Sequence, residues 1–283
     1  MKILITGVSG QVGYALSQTL IEEELVSITR QKCDLAKSDQ IKKTIDYHKP
    51  DLIINPAAYT KVDQAEHDKE LAFKINRNAP KVMAEKAREY NIPFIHFSTD
   101  YIFDGEKSDS YKEEDSTHPL GVYGQSKLDG EKAVQEVGGY FYIFRTSWVY
   151  STIGNNFYMM MKRLSQERKE LKVVNDQQGV PTSNFFIAKQ IQKIIPQLNS
   201  NNTGIYHLVP EGFCSWYEFA RVIISQKNIQ FNLEKLKPIQ SNEFKTKTKR
   251  PENSRLNNDK VKKTFMLKFS DWSDELNKVM DET

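Results

Sequence analysis

No stretch of the 283-residue chain approaches the ~18 consecutive apolar residues of a membrane span. The opening MKILITG meets glycine after three apolar residues, too early for the apolar core of a secretory signal, so a cytoplasmic protein is expected. Cysteine is scarce. Cys33 and Cys214 stand far apart with no CxxC, which fits a reducing compartment and leaves a single disulfide pairing open. The five histidines, His48, His67, His96, His118 and His207, form no HExxH-type spacing, and no metal site is expected. Neither sign of charge dominates, with 40 Lys+Arg against 37 Asp+Glu, so no nucleic acid or other polyanion is called for. The apolar fraction of 39 % is leaner than the ~45–50 % of ordinary domains. Aromatics at 11 % and the absence of low-complexity tracts nonetheless predict an ordered chain with a normal core. At ~100–200 residues per domain, the length allows two domains or one extended one.

The first half alternates between two periodicities. Short β-rich apolar runs fall at 2–6, 25–29, 52–55, 94–98 and 140–146, and helical patterns at 11–23, 38–48, 69–90 and 121–135. Pro80 lies inside the third helical pattern and predicts a kink or break there. Strands separated by helices imply a parallel sheet covered on both faces. Beyond residue 150 the regularity weakens, with helices expected at 155–167, 184–195, 215–226 and 254–265 and strands near 171–174 and 205–208. This reads as a smaller, irregular lobe whose later segments return to the sheet.

The first strand runs directly into Gly7-Val8-Ser9-Gly10-Gln11-Val12-Gly13, which opens the first helix. In that context Gly7 permits a tight turn, Gly10 a close approach to a pyrophosphate, and Gly13 tight helix–strand packing. The helix start then offers its N–H groups and positive dipole end to the phosphates. At the end of the second strand Thr29-Arg30 stands where an acidic residue would grip the ribose of NAD. Arg30 offers a cation for the 2′-phosphate of NADPH, the expected cofactor, though a plain surface arginine and NADH remain open.

Tyr123-Gly-Gln-Ser-Lys127 places a phenol and an ammonium four residues apart, on one face if helical. A tyrosine with its ordinary pKa near ~10 moves protons poorly at neutral pH, and an adjacent ammonium would lower it. Upstream, Ser98-Thr99-Asp100 ends a strand, where parallel sheets bind ligands, and its hydroxyls could meet a substrate oxygen or cap a turn. Asn55-Pro56-Ala57-Ala58-Tyr59-Thr60 ends the third strand with small residues that would let backbone approach a nicotinamide ribose, or that form a plain turn. The local basic excess at Lys245–Arg250 reads as a solvated loop or as a site for a small anion.

The segments STDYIFDG (98–105), YGQSKLDGE (123–131), FRTSWVY (144–150), GNNF (154–157), VVNDQQGVPTS (173–183), GIYHLV (204–209) and RPENSRL (250–256) resemble the dTDP-4-dehydrorhamnose reductase family. That family belongs to the extended branch of the short-chain dehydrogenase/reductases. The resemblance implies a Rossmann-like doubly wound parallel sheet at 1–150, and at 151–283 a smaller α/β lobe that mainly binds a sugar nucleotide. The implied activity is NAD(P)H-dependent reduction of dTDP-4-dehydro-β-L-rhamnose to dTDP-β-L-rhamnose; a homodimer is one option, and the sequence leaves the oligomeric state open. It further implies catalysis by Thr99, Tyr123 and Lys127 and sugar contacts from Thr99, Asp100 and Trp148. The cofactor contacts that match are Gly10, Gln11, Val12, Asp34, Leu35, Ala58, Tyr59 and Thr60. Trp148 could equally be core packing, and Arg250 is a candidate for the nucleotide pyrophosphate. In the family the second strand usually ends in Asp, where this chain has Thr29, which supports the NADPH preference. Rival readings are an epimerase or reductase of another nucleotide-linked 4-keto-6-deoxyhexose and a non-catalytic NADP-binding regulatory subunit. A dehydratase would want a carboxylate beside Asp100, and none is there.

Overall fold

The computed structural model describes residues 1–226, 229–244 and 247–281. Five strands come from the first half of the chain: β1 (Lys2–Thr6), β2 (Glu24–Ile28), β3 (Leu52–Asn55), β4 (Phe94–Thr99) and β5 (Phe141–Thr146). A sixth, Gly204–His207, pairs in parallel with β5, giving the order Gly204–His207, β5, β4, β3, β1, β2. Every pairing in this sheet is parallel. Because β2 and β3 flank β1, the chain reverses direction there, and the crevice at the carboxyl ends of β1 and β3 is where such sheets take ligands.

Helices α1 (Gln11–Thr19), α2 (Ser38–His48), α3 (Val62–Ala65), α4 (Lys69–Phe73), α5 (Ala79–Glu89) and α6 (Val122–Val137) come with these strands. One face of the sheet buries Ile3, Ile5, Leu16 and Phe144, and there α8 (Asn184–Ile194) contributes Ile187 and Ile191. The other face buries Leu4, Ile53 and Ile143 against Ile41 and Ile45 of α2 and Met83 and Ala87 of α5. A further core gathers Tyr150, Tyr158 of α7 (Phe157–Glu167), Phe219 of α9 (Trp216–Ile224) and Trp272. Among the described residues no helix is long and apolar enough to cross a membrane.

The departures from periodicity have local causes. Helix α1 stops at Thr19 rather than running to 23, because Leu20 tucks into the core and Ile21 turns out to solvent ahead of β2. The pattern over 69–90 breaks before Pro80, where Lys74–Asn78 widens into a π-helical turn. Pro80 has no N–H for the Asn76 carbonyl four residues back. That carbonyl instead faces Gly130 of α6, where a Cβ would lie only 2.0 Å from it. The helix expected at 254–265 shrinks to α10 (Asp259–Thr264). Asn253 donates to Lys107 O and Asp109 O at 2.6 and 2.8 Å, and Asn253–Ser254 pairs as a strand with Gln178–Gly179. A last helix, α11 (Trp272–Asp281), was not expected.

Candidate active site

The glycine loop leaves β1 with Gly7 at φ 58°, a left-handed conformation that disfavours any side chain. A Cβ on Gly13 would fall 2.3 Å from Gly7 O, so this pair of glycines lets α1 start against the loop. Gly10 occupies the N-cap position of α1, and no side chain caps it. Gln11 is pinned from the second half of the chain: Ser151 Oγ donates to its side-chain oxygen at 2.7 Å, and Asn184 Nδ2 to its carbonyl at 3.0 Å. Val12 lies half-buried in the first turn of α1.

Beside the loop opens a cleft of about 440 Å³. It brings together Gly7, Arg30, Asp34, Leu35, Ala58, Tyr59 and Thr60, with Ser9, Gln64 and Asp68, which sequence reasoning did not select. Gly10, Gln11, Val12 and Gly13 form the adjoining helix start rather than the wall of this cleft. Arg30 is exposed at its edge. Asp34 Oδ1 accepts from Ala36 N at 3.1 Å, closing a local turn. The Tyr59 phenol donates to Asp68 at 2.7 Å, and burial with that carboxylate pushes its pKa up to about 12.

The backbone of Tyr59 is held by a residue the sequence reading missed. Asn76, fully buried in the π-helical turn, accepts from Tyr59 N at 2.8 Å and donates to Tyr59 O at 3.0 Å. Its amide also donates to Ser126 Oγ, which in turn donates to the carbonyl of Tyr123. One side chain thus ties the cleft wall to the helix that carries Tyr123. The only available signal was a polar residue set in an otherwise apolar helical stripe. Another missed residue, Glu66, accepts from Val122 N at 2.8 Å and so satisfies the start of α6.

Tyr123 and Lys127 lie one turn apart on α6, at the carboxyl end of β4. Lys127 is buried, with Nζ 2.5 Å from Phe97 O and 3.3 Å from His96 Nε2. Burial draws it down to about 8, with Glu131 opposing. Tyr123 meets Tyr101 edge-on at 5.5 Å between centroids. Burial raises the Tyr123 phenol above its ordinary range, the Thr99 hydroxyl works against the rise, and Asp100 and Tyr101 add to it. This corrects the expectation of a phenol depressed by its neighbouring ammonium: Lys127 has turned onto the β4 backbone. Held above its ordinary range, the phenol stays protonated at neutral pH and is a weaker acid than a free tyrosine.

Thr99 Oγ1 donates to Asp100 Oδ1 at 3.1 Å. Asp100 is buried, and desolvation pushes its carboxyl up to about 6 despite the hydroxyls of Ser254 and Thr99. Ser98 Oγ and Thr146 Oγ1, at the ends of β4 and β5, are buried and have no hydrogen-bond partner among the described residues. Thr146 lies opposite Thr99 in the sheet, so its orphaned hydroxyl sits where a polar ligand beside Thr99 would complete the structure.

Trp148, half-buried, stands at φ 46° with its indole stacked on Trp216 at 3.5 Å and 10°. On its other side a Cβ on Gly179 would come within 2.4 Å of the ring. Arg250, expected to be free for an anion, is instead engaged. Its Nη1 donates to the Tyr101 hydroxyl at 2.9 Å and its Nη2 lies 3.4 Å from Asp63. The side chain therefore buttresses the aromatic neighbour of Tyr123. Of the basic stretch, Lys245 lies outside the described residues.

The glycine cradle, the adjoining cleft with its exposed arginine, and the orphaned hydroxyls together fit a dinucleotide with a 2′-phosphate. Residues 1–283 match the family described as RmlD substrate binding domain. The dTDP-4-dehydrorhamnose reductase of Sinorhizobium fredii is 39 % identical over 286 residues, covering 99 % of this chain and 97 % of that protein. The crystal structure of dTDP-4-dehydrorhamnose reductase from Bacillus anthracis in complex with NADP superimposes with a TM-score of 0.93 at 34 % identity. It covers 100 % of this chain and 99 % of that one. The corresponding structure from Clostridium acetobutylicum gives 0.94 at 36 % identity, with 100 % and 99 % covered.

Proposed function

The chain belongs to the RmlD substrate binding domain family, and from that premise we infer that it reduces the C4 ketone of dTDP-4-dehydro-β-L-rhamnose with NADPH, giving dTDP-β-L-rhamnose. The observation that carries this reading is the placing of Tyr123 and Lys127 one helical turn apart, with Thr99 beside Tyr123, next to a cleft lined by Gly7, Arg30, Asp34, Leu35 and Ala58–Thr60. When bound, NADPH supplies the hydride. Tyr123 gives its proton to the C4 oxygen as negative charge develops there, and the Thr99 hydroxyl orients that oxygen. Lys127 takes a cofactor ribose hydroxyl with the N–H left over from its β4 contacts, and its charge one helical turn away offsets the negative charge left on Tyr123 as the proton departs. Main-chain N–H groups from Gln11 to Gly13, opened to the ligand by the side-chain-free Gly10, receive the pyrophosphate, Arg30 the 2′-phosphate, and Asp34, Leu35 and Ala58–Thr60 the adenosine and ribose. In this reading residues 1–150 hold the dinucleotide and 151–283 mainly the sugar nucleotide, with Asp100 and Trp148 on the sugar side. The test is NADPH oxidation by the purified protein with enzymatically prepared dTDP-4-dehydro-rhamnose. Tight NADPH binding with no reduction of any 4-keto sugar nucleotide would favour a regulatory subunit instead.

Two further outcomes follow. Arg30→Ala removes a charge-assisted contact worth about 1.5–3 kcal/mol. KM for NADPH should rise roughly 10–100-fold while that for NADH stays put; a wild-type protein that prefers NADH by kcat/KM would sink the Arg30 argument. Trp148→Ala removes an aromatic surface worth about 0.5–1.5 kcal/mol, so KM for the sugar nucleotide should rise up to about tenfold. Equal losses for both substrates, with a lowered Tm, would mean that the indole serves packing alone.

A further inference from the structure

An ammonium has three N–H donors to place. Lys127 commits two of them to β4, to the Phe97 carbonyl at 2.5 Å and to Nε2 of His96 at 3.3 Å, leaving one for a ligand. His96 is itself sealed in the sheet at 1 % exposure and stacked on Phe94. Its Nδ1 lies 3.1 Å from Asn55 Nδ2, and Asn55 Oδ1 takes the Thr6 hydroxyl at 2.6 Å. A hydrogen-bonded line therefore runs from β1 through β3 and β4 to the lysine of α6.

This line admits two consistent proton arrangements. For Nε2 to accept from an ammonium, the neutral imidazole must carry its proton on Nδ1 and donate it to the Asn55 oxygen, with the Asn55 NH₂ turned to Thr6. With the Asn55 NH₂ facing Nδ1, the orientation the amide has here, the imidazole proton sits on Nε2 and points at Nζ, which suits only a neutral amine. An ammonium at Nζ requires the amide turned over, which keeps both of its contacts. An imidazolium fits neither arrangement, and burial beside Lys127 holds His96 well below its ordinary range.

We propose that His96 is a positioning residue for the reductase reaction: by accepting a hydrogen bond at Nε2 it fixes where the Lys127 ammonium points and keeps it charged through turnover. The proposal rests on the assignment of Tyr123 and Lys127 as the proton-transfer pair. Besides His96, the ionisable groups nearest Lys127 on its own helix are Tyr123 and Glu131, and Glu131 is paired with Arg145 of β5. Tyr123 is shifted up and Lys127 down to about 8, so Lys127 is the first of the two to titrate on the alkaline side.

His96→Phe keeps the ring and its stack on Phe94 but removes the acceptor, whereas His96→Gln restores an acceptor at the Nε2 end. In the Phe variant the alkaline limb of kcat/KM should move down by about one pH unit and NADPH should bind about tenfold more weakly, as expected for loss of a charge-assisted hydrogen bond. The Gln variant should recover most of both. An unmoved limb in the Phe variant, or a Gln variant no better than Phe, would overturn the proposal. Should the Phe variant fail to fold, ¹⁵N spectra of histidine-labelled wild-type protein decide: the Nδ1–H tautomer is expected for His96, and the Nε2–H tautomer overturns it. Neither the spectra nor NADPH binding needs turnover, so failure to reduce the sugar nucleotide would strike the reductase reading and leave this test standing.

Discussion

Tyr123→Phe should lower turnover by about 10²–10⁴-fold, the contribution of a positioned general acid, while fold and NADPH affinity stay close to wild type. The substitution removes one oxygen from a half-buried ring whose packing against Tyr101 is unaffected by that loss. Hydride transfer to C4 then leaves an alkoxide facing Thr99, and the remaining groups cannot replace the proton. Asp100 is protonated only below about pH 6, and Lys127 is directed to Phe97 O and His96. Residual activity that grows as pH falls through 6 would identify Asp100 as a substitute donor. Single-turnover measurement of NADPH oxidation separates this loss from slow product release, and wild-type turnover in the Phe variant would eliminate the mechanism.

How much of this was legible in the sequence depends on the range of the forces involved. The glycine loop could be read because its constraints are local: Gly7 needs a positive φ, and Gly13 sits only six residues from the carbonyl it would strike. Tyr123 and Lys127 could be read because helical spacing puts both on one face. The direction of the Lys127 ammonium could not, since its acceptors lie on a strand some thirty residues earlier. For the same reason the sequence suggested a depressed phenol where burial in fact raises it. Arg250 looked like a free cation because its partners, Tyr101 and Asp63, are far away in the chain. Trp216 carried no signal at all until its stack on Trp148 was in view. The 254–265 helix was misread because the carbonyls that hold Asn253 come from the 107–109 turn, and such tertiary hydrogen bonds outweigh a weak helical periodicity.

The largest loss of stability is expected from Glu131→Ala. Glu131 on α6 is fully buried and receives Arg145 of β5 through two nitrogens, Nε at 3.0 Å and Nη2 at 2.7 Å. Arg145 also donates to Glu113 O at 3.2 Å. Removing the carboxylate strands a guanidinium in the interior, which costs about 3–5 kcal/mol and should lower Tm by on the order of 10 °C. The double variant Glu131→Ala/Arg145→Met should regain much of that, because the damage lies in the unpaired charge rather than in the lost attraction. Function should not follow stability back. Glu131 is the charge that opposes the burial of Lys127, so without it the lysine loses its proton at lower pH. The alkaline limb of kcat/KM should therefore sit below the wild-type position in both the single and the double variant. A double variant that recovers Tm and limb together would show that Glu131 acts on Lys127 only through the integrity of α6, and a single variant within 1 kcal/mol of wild type, well under the ~3–5 expected, would refute the buried-charge argument itself.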